Sequence, residues 1–193
     1  MKNLLNVANF ITFLGIILAI WVNTLVFSSP ELIWVVVALV LLVGLTDFLD
    51  GYLARKYKIQ TQIGSFLDRL RDKIFICPLL VILVLYRPLK FYNGLVFPLL
   101  KALVYATLLI EGVLIISWIV GVSKRMDLSS NKYGKRKMAL QFLAVLIWVF
   151  YLGLEKHAKN FFLMGLSYLA VLILLISVIY GFLSVREYLE RYF

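Results

Sequence analysis

The chain has 193 residues, 63% of them hydrophobic, with a mean hydropathy of +0.97. A soluble domain of this size cannot bury that much apolar surface, so lipid must solvate most of it. A formal net charge of +10 would point to nucleic acid in a soluble protein. In so apolar a chain the positive-inside rule is the better account, and no nucleic-acid partner is expected. Cys77 is the single cysteine, which rules out an intrachain disulfide.

A spanning helix needs about 20 mainly apolar residues. In chain order six stretches qualify: 5–27, 32–53, 74–86, 96–122, 138–154 and 161–184. The expectation is one all-α integral membrane domain over residues 1–193, with six transmembrane helices around a polar cavity. The third stretch is short and is expected to borrow a turn from the charged segment 68–73. Only Lys2 precedes the first apolar run and no small-residue cleavage site follows it, so no removable signal peptide is expected. Six spans put both termini on one side. Fifteen of the 20 basic residues fall on that side, leaving Arg87, Lys90, Lys101, Lys156 and Lys159 on the other. The bias predicts a multi-pass protein of the cell (inner) membrane, with the termini and the polar cavity facing the cytoplasm.

The second span runs from Leu32 to Leu45 without a charge and then meets Asp47 and Asp50; the third begins with Asp68 and Asp72. Spacings of three and four put each pair on one helix face. Four clustered anions at the membrane boundary need positive compensation, and hard divalent cations held by oxygen ligands are the natural candidate. Facing helices could hold two such ions about 4 Å apart, the arrangement of phosphoryl chemistry, with an edge carboxylate taking a proton from an attacking hydroxyl. Helix capping and surface ion pairing would account for any one of these aspartates, and a divalent-cation transport site would account for the metal binding. Neither accounts for Gly51 inside the helix, where glycine weakens a helix by roughly 1 kcal/mol relative to alanine.

Asp47, Asp50, Gly51, Ala54, Arg55, Gly64, Asp68 and Asp72 match D-x2-D-G-x2-A-R-x8-G-x3-D-x3-D at every spacing. This stretch resembles the signature of the CDP-alcohol phosphatidyltransferases. The resemblance implies that the four aspartates bind two divalent cations, magnesium or manganese, and that Asp72 is also the general base. It implies that Gly51 and Gly64 admit the cytidine nucleotide, that Arg55 contacts its phosphates, and that the protein is a homodimer. Its substrates would be CDP-diacylglycerol, or an ether-lipid equivalent, and a small polar alcohol, with CMP released. Arg71 stands where such proteins usually carry a small residue.

Asn9 and Thr12 resemble an N-x-x-T element of the same proteins and are expected to contact the nucleotide or to pack helices. Gly15 stands where the phosphatidylglycerophosphate synthases often have arginine. Gly134, Lys135, Lys137 and Gln141, on the segment read as the loop entering the fifth helix, resemble the G-K-x-K-T-x-x-Q element of those synthases, with Met138 in place of threonine. There Lys135 and Lys137 would bind the acceptor's phosphate, although an i, i+2 pair does not share a helix face. The same cations also fit a collar attracted to anionic membrane lipid. Glycerol 3-phosphate is the expected acceptor, with inositol phosphate, serine and phosphatidylglycerol as alternatives. Glu111, in the fourth span, is expected to form an ion pair with a neighbouring helix. His157 is expected to be solvated, away from the aspartates.

Overall fold

The computed structural model describes residues 7–57, 62–86, 96–123, 131–155 and 160–192, which are helical apart from short turns. Lys2, Arg87, Lys90, Lys124, Arg125 and His157 lie outside the described residues. Helix α1 (Val7–Ser28) leads through a 3-10 turn at Pro30–Leu32 into α2 (Ile33–Lys56). Then come α3 (Gln62–Val81), α4 (Val96–Ser123), α5 (Lys132–Leu154) and α6 (Asn160–Tyr192). Five of them, all but α3, are long and apolar enough to cross a membrane.

Two helices start earlier than their apolar runs. The third begins at Gln62, so Asp68 and Asp72 stand well inside it rather than at its first turn. The fifth begins at Lys132, so Lys135 and Lys137 are helical and not on a loop. Hydropathy marks the part of a helix that lies in hydrocarbon, whereas the helix itself starts where its first amides are satisfied. For α5 that place is Asn131, whose side chain accepts from the Gly134 amide at 2.6 Å. The same side chain joins α6: its amide donates to the Ser184 carbonyl at 2.9 Å, and Ser184 Oγ donates back at 3.0 Å.

Pro78 lies inside α3, which passes directly into a π-helical turn at Ile82–Tyr86. Proline has no amide to give the carbonyl four residues earlier, that of Ile74. Asn23 of α1 supplies the missing donor, its Nδ2 lying 2.9 Å from the Ile74 oxygen. A part-buried acceptor is thereby satisfied from a different helix, which also ties α1 to α3.

The most extensive helix pair is α5 with α6, followed by α1 with α2 and α1 with α3. On α6 the contact stripe is made of small residues: Ser167, Ala170, Ser177 and Ser184 are all fully buried, beside Leu163 and Leu174. Small side chains let helix backbones approach closely where no hydrophobic force acts between helix and lipid. Ser167 and Ser177 donate to the carbonyls of Met164 and Leu174, so their hydroxyls are satisfied within the helix. Trp148, Phe75, Ile76, Leu79 and Leu80 fill the centre. Outward, Phe10, Leu109, Ile116, Phe161 and Phe182 are each more than 60% exposed, a surface suited to lipid.

Candidate active site

A cavity of about 1210 Å³ opens at one end of the bundle. Its lining identifies that end. It takes Asn9 and Thr12 from the start of α1, Asp47 to Ala54 from the end of α2 and Gly64 to Cys77 from α3. Glu111 to Ile119 come from the C-terminal half of α4, Gly134 to Phe142 from the start of α5, and Ser184 and Tyr188 from the end of α6. Odd helices begin here and even helices finish here, so the six alternate up and down. This is the topology in which the start of α1 and the end of α6 share a side.

All four aspartates line the cavity. Side-chain oxygens of Asp47, Asp50 and Asp68 lie within 4.8 Å of one another, close enough for one cation to be held by both α2 and α3. Carboxylates alone form the donor set, which suits a hard divalent ion. Asp50 is buried and accepts from Thr12 Oγ1 at 2.7 Å. That bond fixes one oxygen of the α2 pair from α1, and it gives Thr12 a task next to the aspartates. Asn9, one turn before Thr12 on α1, is buried in the same wall.

In the middle of the carboxylates sits Arg71. Its Nη1 donates to Asp50 at 2.7 Å, and its Nη2 pairs with Asp47 and Asp68 and lies 3.4 Å from Asp72. The side chain is only 1% exposed, so the whole charge is balanced by these four partners. Nothing in a hydropathy or motif reading gave Arg71 this place. The single hint was its position beside Asp72, where a large cation must either leave the site or fill it.

Gly51 and Gly64 are half-buried in the cavity wall. Arg55 belongs to the last turns of α2, and its side chain lies outside the described residues.

A second charged group adjoins the first. Glu111 of α4 pairs with Lys73 of α3 and Lys137 of α5, and accepts from Gln141 Nε2 at 3.0 Å. The expected ion pair with a neighbouring helix is therefore present, and doubled. Lys137 is buried against this carboxylate, whereas Lys135 is exposed at the cavity rim. The i, i+2 spacing has sent the two lysines different ways, as helix geometry requires. Ile110 packs over Gly181 of α6; a Cβ there would stand 2.9 Å from Ile110 Cδ1.

The remaining walls are apolar. Leu41, Leu45 and Phe48 of α2 face the cavity on one side, and Leu114, Ile115, Trp118 and Ile119 of α4 on another. Phe66, at the start of α3, stacks on Trp118 with ring centroids 5.0 Å apart. Phe48 is 63% exposed and Ile119 55%, so these walls continue into the lipid-facing surface.

Comparison with known proteins accords with this arrangement. Residues 5–183 match the family model described as CDP-alcohol phosphatidyltransferase. The chain is 28% identical over 169 residues to the CDP-diacylglycerol–glycerol-3-phosphate 3-phosphatidyltransferase of Haemophilus influenzae, covering 84% of this chain and 78% of that one. It is 28% identical over 165 residues to the protein of the same name from Cereibacter sphaeroides, covering 84% and 71%. A third of that name, from Wigglesworthia glossinidia brevipalpis, is 29% identical over 153 residues, covering 77% and 72%. A match that runs through all six helices, and not just the aspartate stretch, makes this chain a multi-pass membrane enzyme of the CDP-alcohol phosphatidyltransferase family.

Proposed function

We propose that this chain transfers a phosphatidyl group from CDP-diacylglycerol to glycerol 3-phosphate and releases CMP. The observation that carries the reading is the meeting of four carboxylates, a lysine pair and an apolar wall in one cavity at the polar end of the bundle. An anionic headgroup, a second anion and a diacyl tail need those three surfaces together.

Asp47, Asp50, Asp68 and Asp72 would hold magnesium or manganese. Divalent metal bound there would supply charge neutralisation for the pyrophosphate and for the departing CMP. Gly51 and Gly64 would leave room for the cytidine nucleotide along α2 and α3, and Arg55 is the residue that would contact its phosphates. Asn9 and Thr12 close the same end from α1, Thr12 by holding Asp50 in place. The acceptor's hydroxyl oxygen bonds to the phosphorus that carries diacylglycerol, and the bond from that phosphorus to CMP breaks. CMP leaves with the electron pair, and the hydroxyl proton passes to the Asp72 carboxylate.

Lys135 and Lys137 would take the acceptor's phosphate. Glu111 offsets one positive charge of Lys73 and Lys137, so the trio remains cationic by one and Lys135 adds another. That balance favours a dianionic acceptor over serine. The names of the similar proteins support the same choice. The basic bias of one end supports a cavity at the cytoplasmic face of the inner membrane, and the family resemblance supports a homodimer.

The test is CMP release by purified protein in detergent with CDP-diacylglycerol, magnesium and glycerol 3-phosphate, beside an Asp72→Asn control. Release that requires both the acceptor and Asp72 is the expected result. Release only with inositol phosphate, serine or phosphatidylglycerol would move the acceptor and keep the reaction. No release with any acceptor, nor with an ether-lipid donor, would overturn the reading in favour of cation transport.

A further inference from the structure

We propose that Arg71 is a built-in cation of the aspartate cluster and that the site consequently takes one divalent ion per chain, not two. The inference rests on the reading of the four aspartates as metal ligands.

Four carboxylates offer eight oxygens. Arg71 engages one from each: Oδ2 of Asp50, and Oδ1 of Asp47, Asp68 and Asp72. A small hard cation wants six oxygens in near-octahedral array and keeps several for water or substrate. Arg71 leaves four oxygens, enough for one such ion at most, and Asp47, Asp50 and Asp68 are the three carboxylates that come within 4.8 Å of one another. A second would have to share the oxygens the guanidinium already holds, bringing a dication against a buried cation.

Arg71 cannot readily yield them. Guanidinium does not lose its proton in proteins, and at 1% exposure the side chain is enclosed by its carboxylate partners. A buried charge that loses its partners is strongly disfavoured. Arg71 brings the cluster from four negative charges to three, and one divalent ion brings it to one.

The fold has also made room for the side chain. Arg71 crosses Gly15 of α1, where a Cβ would lie 2.8 Å from Arg71 Cδ and 3.1 Å from Thr46 Oγ1. Any larger residue at 15 would push the stem aside. Gly15 and Arg71 therefore form one device, the first giving space on α1 for a charge delivered from α3.

Titration of the full-length protein in detergent with Mn2+ alone, followed by electron paramagnetic resonance, tests this without reference to turnover. The wild type should bind one Mn2+ per chain with an uncoupled six-line spectrum. Arg71→Met keeps the stem over Gly15 and removes the charge; it should bind two, with the broadened spectrum of spin-coupled ions about 4 Å apart. Gly15→Val displaces the stem without touching a charge and should also admit the second ion, which covers the case of Arg71→Met failing to fold. Two coupled ions in the wild type would overturn the proposal and leave the proposed reaction standing. One ion in the wild type and in every folded variant would overturn it equally. No Mn2+ bound by any of the proteins would overturn both this proposal and the metal reading on which it rests.

Discussion

Replacing Glu111 should expose how much of the bundle's stability depends on one carboxylate. Glu111 is 6% exposed at its side chain and sits between Lys137, 5% exposed, and Lys73, 22% exposed. In Glu111→Gln the shape is kept and the charge is lost. Lys73 can still turn toward water in the cavity, but Lys137 remains a buried ammonium without a counter-charge. Breaking a buried pair from one side costs about 3–5 kcal/mol. The amide oxygen of Gln can still accept one bond, so the lower end applies, about 3 kcal/mol. For a chain of this length that is a fall in Tm of about 6–12 °C. Thermal unfolding in detergent, followed by gel filtration of the surviving fraction, measures it. The discriminating protein is Glu111→Gln with Lys137→Met. Met keeps the stem that passes over Gly181, 3.5 Å from where a Cβ would be, and removes the stranded charge. Exchanging a buried pair for apolar groups is often nearly neutral, so the double variant should recover to within about 1 kcal/mol, 2–4 °C of the parent. A double variant less stable than Glu111→Gln would refute the reasoning, because the penalty would then lie in lost packing and not in a stranded cation.

Asn23→Ala should cost about 1–3 kcal/mol, the price of leaving the Ile74 carbonyl unmet; adding Pro78→Ala, which restores an amide in α3, should return part of it in the same melting assay. Thr12→Val removes the bond to Asp50 and should lower kcat/KM about tenfold to a hundredfold, taking about 1.5–3 kcal/mol for a hydrogen bond to a charged group; unchanged kcat/KM would take Thr12 out of the positioning of Asp50. Lys135→Ala should raise KM for glycerol 3-phosphate about tenfold while leaving kcat and the KM for CDP-diacylglycerol nearly unchanged; an equal fall in kcat with KM unmoved would take Lys135 out of acceptor binding.

The aspartates were legible in the sequence because their meaning is local. Spacings of three and four fix a shared face whatever the rest of the chain does, and the uncharged run before Asp47 fixes their depth. The alternation of the helices was legible for a similar reason, since short connections between apolar runs allow little else. Arg71 was not, because its role comes from α1: without Gly15 opposite, the same side chain would have to point elsewhere. The partners of Glu111 were also hidden. A buried carboxylate announces that it needs a cation, but Lys73 and Lys137 lie 38 and 26 residues away and only packing selects them among 20 basic residues. The starts of α3 and α5 were misplaced because apolarity reports contact with hydrocarbon, and their first turns lie where water and the Asn131 side chain satisfy the backbone.

The apolar walls on α2 and α4 bear on how the reaction should be measured. They run from the carboxylates out to the lipid-facing surface, so a diacyl substrate can enter and its product can depart sideways without crossing water. For such a protein the relevant concentration of the lipid substrate is two-dimensional. Doubling the volume of buffer leaves its encounter rate unchanged, whereas diluting CDP-diacylglycerol with inert lipid or empty detergent slows it in proportion to the mole fraction. The water-soluble acceptor arrives from the opposite direction and obeys ordinary molarity. Two substrates of one cavity thus belong to two different phases, and the affinity of each has meaning only in the units of its own.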